Sequence, residues 1–307
     1  MGIWIDTDMG FDDIAAIMTV AHAGLEIDGV SLVFGNTPME QVRRNAAGAV
    51  SAFGWRFPLH IGRDQPVLAH LETAQAILGE TGIPTKGESL PAMPPIQGSD
   101  AFPALCRWLE SNGKPRRILA LGPLTNIAAI VLARPDLACC IDELMWMGGG
   151  LTRGNHTASA EFNALADPEA VAIVLAHRVK LRMVDLDFCR KIEASPADVD
   201  PIRRAGGKNA ALIADMLAGF IDTAISRGRP AMALYDPAAA AAFVRGDLVT
   251  FQPARIDMEL AGSLTRGRTV VETRATHGAF NGEFAADCDA AALKAIVLDA
   301  LAWEAGK

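Results

Sequence analysis

Ile3-Trp4-Ile5-Asp6-Thr7-Asp8-Met9-Gly10-Phe11-Asp12-Asp13 is an apolar run that breaks into four carboxylates within eight residues. The run predicts a buried strand, and the polar turn at Gly10 predicts its end. A helix is expected over 12–23. The same unit recurs down the chain. Strands are expected at 30–34, 59–61, 118–121, 143–147 and 181–186, with helices over 39–53, 102–110, 125–132 and 168–176. Strands alternating with helices predict an α/β fold, with an open, mostly parallel central sheet flanked by helices. Residues 71–97 are irregular and rich in Gly and Pro, and read as a long excursion near a pocket. An alanine-rich stretch at 238–243 follows Tyr235-Asp236-Pro237 and predicts a buried helix. Segments 255–259 and 268–272 predict a small extra β-hairpin near the C-terminus. Without a repeat or a linker, residues 1–307 are expected to form one domain.

The 307 residues are half apolar and about a fifth charged, the balance of a soluble globular chain. The net charge of −8 gives no long-range attraction for phosphate backbones, so nucleic acid is not an expected partner. No apolar run has the length a bilayer requires, and carboxylates interrupt the first apolar run where a secretion signal would continue. A cytoplasmic location is therefore expected. The five cysteines, Cys106, Cys139, Cys140, Cys189 and Cys288, include no CxxC pair, and reduced thiols are expected.

Ligands of open parallel sheets bind beyond the carboxyl ends of the strands. That edge would gather Asp6, Asp8, Asp12 and Asp13 from the first strand, Asn36 from the second, Leu121 from the fourth, and Asn155, Glu161 and Asn163 from beyond the fifth. Four carboxylates packed together raise one another's pKa values unless a counter-charge is present. A hard divalent cation, which takes carboxylate and carbonyl oxygens, supplies it. Asp12 and Asp13 would also favour the positive end of their helix. The spacing is not that of an EF-hand, whose glycine and twelfth-position glutamate are missing. Taken singly, Asn36, Asn155 and Asn163 read as turn residues and Glu161 as a solvated charge. Their joint placement at strand ends points to a site.

The segments resemble the inosine–uridine-preferring nucleoside hydrolase family. The resemblance starts at Asp6-Thr7-Asp8-Met9-Gly10-Phe11-Asp12-Asp13, the family's opening DxDPGxDD pattern with Met9 in place of proline. It continues through Gly35-Asn36-Thr37, Ala120-Leu121-Gly122-Pro123-Leu124-Thr125-Asn126 and Met147-Gly148-Gly149-Gly150. Gly154-Asn155-His156-Thr157, Ala160-Glu161-Phe162-Asn163, Asp167-Pro168, Tyr235-Asp236-Pro237 and Arg266-Gly267-Arg268 extend it over nearly the whole chain. It implies hydrolysis of the N-glycosidic bond of a ribonucleoside. It implies a Ca2+ ion held by Asp8, Asp13, the Leu121 carbonyl and Asp236, with a water and the ribose 2′- and 3′-hydroxyls completing the shell. Asp8 would take the proton of that water. Asp12 and Asn163 would bind the diol, Asn155 and Glu161 the 5′-hydroxyl side, and Asn36 would lie beside the sugar. Asp6 would orient the ligand loop. Homodimers or homotetramers are also implied.

Two positions depart from the family. Many members carry a histidine just before the aspartate matched by Asp236, where it helps protonate the departing base. Here the chain has Tyr235, its single tyrosine. Tyr235 is read as a hydrogen-bond donor to the base or as a half-buried residue at a helix start. His277 is a candidate substitute. The family's His-Gly pair is also missing from the 71–97 excursion. Two rival readings are a haloacid-dehalogenase-type phosphatase with Asp6 as nucleophile, and a calcium-dependent ribosyl-binding protein without turnover.

Overall fold

The computed structural model describes residues 2–68, 70–111, 113, 115–177 and 179–307. Twelve strands are seen among them: β1 (Gly2–Thr7), β2 (Glu26–Leu32), β3 (Leu59–Ile61), β4 (Ser99–Asp100), β5 (Arg117–Ala120), β6 (Glu143–Met147), β7 (Leu181–Val184), β8 (Glu193–Ala194), β9 (Met232–Ala233), β10 (Val249–Met258), β11 (Thr269–Glu272) and β12 (Gly282–Cys288). Ten of them form one sheet in the order β11-β10-β12-β7-β6-β5-β1-β2-β3-β4, and β8 pairs with β9 separately. The sheet is parallel from β12 through β4, and β10 runs antiparallel to both its neighbours. The central strands are buried on both faces, which is why Ile3-Trp4-Ile5 and Leu144-Met145-Trp146-Met147 are continuous apolar runs rather than alternating ones.

Sequence and structure agree on several elements, although β2 begins at Glu26 and ends at Leu32 rather than covering 30–34. The helix Met39–Phe53 and the strand Leu59–Ile61 occur where periodicity places them. The first helix is Phe11–His22, with Asp12 and Asp13 in its first turn. The predicted hairpin exists as β10 and β11, but it is not free-standing. β12, which the sequence reading does not anticipate, joins it to β7, so the hairpin becomes the edge of the central sheet. Two long helices in the unassigned later chain, Ala210–Ile225 and Ala290–Ala305, pack against the helix Phe11–His22. No helix of the described residues is long and apolar enough to cross a membrane.

The helix Tyr235–Val244 packs against Phe11–His22. Ala238, Ala239, Ala240, Ala241 and Ala242 are all fully buried. Their small side chains let the two helices approach closely, since interaxial distance is set by the side chains at the contact. That approach brings Asp236, in the first turn of one helix, to Asp12 and Asp13 in the first turn of the other.

Candidate active site

β1 ends at Thr7, and the next residues turn sharply. Met9 is the one non-glycine residue with positive φ (57°) among those described. Asp13 closes the turn: its Oδ1 accepts the hydroxyl of Thr7 and the amide of Asp8 (3.2 Å), and its Oδ2 accepts the amide of Gly10 (2.8 Å). Two glycines permit the close packing. A Cβ on Gly35 would lie 1.9 Å from Oδ2 of Asp8, and one on Gly10 would lie 2.3 Å from the Asn36 amide nitrogen.

Carboxylate oxygens of Asp12, Asp13 and Asp236 come within 4.8 Å of one another. Burial, with repulsion from the Asp13 charge adding to it, pushes the Asp12 carboxyl up to about 7. Burial also holds Asp8 and Asp236 well above the usual carboxylate range, with repulsion from neighbouring aspartates adding to the effect. This donor set is all oxygen and carries surplus negative charge, which fits a hard divalent cation and suits neither zinc nor a soft metal. Asp8, Asp12, Leu121 and Asp236 line a cavity of about 360 Å³, beyond the carboxyl ends of β1, β2, β5 and β6. Asp13 lies just beneath.

The same cavity is lined by Asn36, Asn155, Glu161, Asn163 and Tyr235. Most of the predicted pocket side chains therefore meet, but several are held in ways the sequence does not reveal. Asn36 grips Asp8: its backbone amide donates to Oδ2 (2.7 Å) and its side-chain amide to Oδ1 (2.9 Å). Asn163 donates from Nδ2 to the carbonyls of Leu121 (2.9 Å) and Met147 (3.1 Å), leaving its Oδ1 without a protein partner among the described residues. Glu161 caps the helix Phe162–Ala166, accepting from the amides of Asn163, Ala164 and Gly149. It is 3% exposed, and burial raises its carboxyl to about 7. Asn155 accepts from the amide of Phe162 (3.0 Å).

Asp6 lies behind the site. Its Oδ1 accepts from Ser31 and from Nδ2 of Asn126 (2.8 Å), and burial lifts its carboxyl to about 7. Asn126 also donates to the Leu32 carbonyl (3.1 Å), so it ties β1 to β2. The sequence reading does not single it out, although it stands in the Leu124-Thr125-Asn126 motif. Tyr235 is half-buried, and burial pushes its phenol up despite the Arg229 guanidinium nearby. His277 is a correction. Its Nδ1 pairs with Glu272 (3.0 Å) at the surface, and it does not line the cavity. The 71–97 excursion does reach the pocket, through Ala74, Ile77 and Leu78.

The family model for inosine-uridine preferring nucleoside hydrolases matches residues 3–295. The chain belongs to this nucleoside hydrolase family. A curated relative of the hydrolase, the non-specific ribonucleoside hydrolase RihC of Salmonella paratyphi B, is 33% identical over 274 residues, covering 88% of this chain and 87% of its own. The RihC of Salmonella paratyphi A is 32% identical and covers 94% and 93%. Among solved structures, a purine-preferring ribonucleoside hydrolase from Gardnerella vaginalis superposes with a TM-score of 0.90 at 26% identity, covering 100% of this chain and 99% of its own. A plant nucleoside hydrolase shares the fold with a TM-score of 0.90 at 22% identity, over 98% of each chain. Family membership sets aside the phosphatase reading.

Proposed function

We propose that the chain hydrolyses ribonucleosides to ribose and free base, with Ca2+ as the cation in the aspartate pocket. The supporting observation is the convergence of Asp8, Asp12 and Asp236 with Asn155, Glu161 and Asn163 on one cavity, with Asp13 against Asp12 and Asp236, in a member of this family. Asp8, Asp13, Asp236 and the Leu121 carbonyl would hold the ion. When bound, it offsets the carboxylate repulsion and acidifies water in its shell.

The remaining chemistry belongs to the protein. Asp8 accepts a proton from the attacking water, with its plane set by the two bonds from Asn36. Asp12 and the free Oδ1 of Asn163 accept the ribose hydroxyls and hold the sugar for attack. Asn155 and Glu161 take the 5′ side. As the glycosidic bond stretches, positive charge grows on the ribose, and the surrounding carboxylates favour it. A site that bonds a hydroxyl is left with unpaired groups when that hydroxyl is missing, so 2′-deoxynucleosides are poor substrates. Tyr235 donates a hydrogen bond toward the base. The active form is a cytoplasmic homodimer or homotetramer of single-domain subunits.

The test is base release from a panel of ribonucleosides, followed by chromatography with calcium and then with a chelator. Calcium-dependent release supports the proposal. Saturable nucleoside binding without any release would replace it with the ribosyl-binding reading.

A further inference from the structure

Tyr235 stands where many relatives carry a proton-donating histidine, yet the cavity does contain an imidazole. His156, in the segment between β6 and the helix Phe162–Ala166, is the one histidine in its lining. The other histidines whose contacts are described lie outside the lining: His60 stacks on Trp4, His22 packs on Trp303, His177 bonds the Ile173 carbonyl through Nδ1, and His277 pairs with Glu272. The His156 side chain is 16% exposed, and its ring packs against Phe162 with centroids 5.2 Å apart.

Its two nitrogens are not equivalent. Nε2 is 3.1 Å from Oε1 of Glu72, in the excursion that also supplies Ala74, Ile77 and Leu78 to the cavity. An ionised carboxylate only accepts, so Nε2 carries a hydrogen. Nδ1 is buried and has no partner among the described residues. An orphaned buried polar atom is costly, and a ligand that bonds it removes the cost. A carboxylate behind one nitrogen and a free second nitrogen is the arrangement that holds an imidazole for proton transfer. The other charged groups of the lining are Arg153, Arg190, Arg227, Arg229 and Glu161, besides the aspartates of the floor.

We propose that His156, held in place by Glu72, gives the departing base its proton. This rests on the hydrolase reading above. The C1′–N bond breaks, and its electron pair moves onto the base. A proton passes from Nδ1 of the imidazolium to a basic atom of that base. The water oxygen bonds to C1′ and yields its proton to Asp8. Solvent then takes the proton from Asp8 and returns one to His156. In this scheme His156 is a catalytic residue and Glu72 a positioning residue.

The experiment compares His156→Gln and Glu72→Gln with the wild type, as calcium-loaded full-length chains. The substrates are inosine, uridine and 4-nitrophenyl β-D-ribofuranoside, whose aglycone departs as a stable phenolate and takes no proton. For His156→Gln, kcat on the nucleosides should fall by about 10²–10⁴-fold, the usual contribution of a general acid. The loss on the nitrophenyl riboside should be smaller by at least an order of magnitude. Glu72→Gln should shift the alkaline limb of the nucleoside kcat–pH profile while leaving that limb unmoved for the nitrophenyl riboside. It leaves the histidine in place, so it still decides the matter if His156→Gln fails to fold. Equal losses on both substrate types, or an unchanged nucleoside kcat, would overturn this assignment alone. No base release by the wild type from either nucleoside, even with calcium, would overturn the hydrolase reading and this assignment with it.

Discussion

Asp8 has two assignments, cation ligand and proton acceptor, and one neighbour that orients it. Asp8→Asn should lower kcat by at least about 100-fold, the lower end for loss of a general base. In chelator the same variant should melt no lower than the wild type, because it removes one of several mutually repelling buried charges. Near-normal turnover would end the general-base assignment. Asn36→Ala tests the orienting role. Partners that orient catalytic ligands typically contribute 10–100-fold, so kcat or calcium affinity should fall by about that factor while the fold survives. A variant with both quantities unchanged would mean that Asp8 is aligned without its amide partner. From the sequence, Asn36 is legible as a pocket residue but not as the partner of Asp8. That pairing depends on Gly35 lacking a Cβ, and a contact between residues 28 apart is invisible to local pattern.

The turn between β1 and the helix Phe11–His22 is the element that gathers the ligands, and Met9 is its strained point. Positive φ is disfavoured for a side chain as large as methionine. The amide of Met9 donates to the Thr7 hydroxyl (3.0 Å). Proline, which the family pattern carries here, locks φ near −65° and has no amide hydrogen. Met9→Pro should therefore destabilise this chain by about 3 kcal/mol and weaken calcium binding, as read by denaturant titration and calorimetry. A variant as stable as the wild type would show that the turn adopts the proline conformation without cost. Among the elements, most strands and helices up to residue 176 follow from periodicity because each is locally amphipathic or continuously apolar, whereas Gln75–Leu78, Ser99–Asp100, Pro135–Ala138 and Phe162–Ala166 are too short to carry a period. β12 is not predicted because Gly282–Cys288 mixes polar and apolar residues and is made a strand by its neighbours β7 and β10.

At the scale of the whole molecule, the pocket couples stability to pH and to the cation. Asp6, Asp12 and Glu161 each rise to about 7 from ordinary values of 3.8, 3.8 and 4.5. Between those limits the cation-free folded chain keeps protons that the unfolded chain has released. Stability therefore falls as pH rises from about 4 to about 7, and these groups add no further slope above that. A bound cation reverses the trend, because it needs deprotonated ligands and binds only the folded site. It adds about 2.7 kcal/mol at a hundredfold excess over its Kd. Melting curves from pH 4.5 to 8.5, in chelator and in calcium, should diverge as pH increases. Parallel curves would mean that the carboxylates are neither strained nor coupled to the ion.

Local chemistry in the chain determined the parallel α/β architecture, the edge on which the site lies, and the residue types for an oxygen-ligated cation. Each of these follows from a period, a turn residue or a run of charges within a few positions. Only the tertiary structure decided which groups touch. The buried alanine helix delivers Asp236 to Asp12 and Asp13, although more than 200 residues separate them. Packing leaves Glu161 and Asn163 nearly sealed from water and sends His277 to the surface, while His156 is held in the cavity wall. Burial and contact across the sheet edge are properties of the folded chain, and no window of sequence contains them.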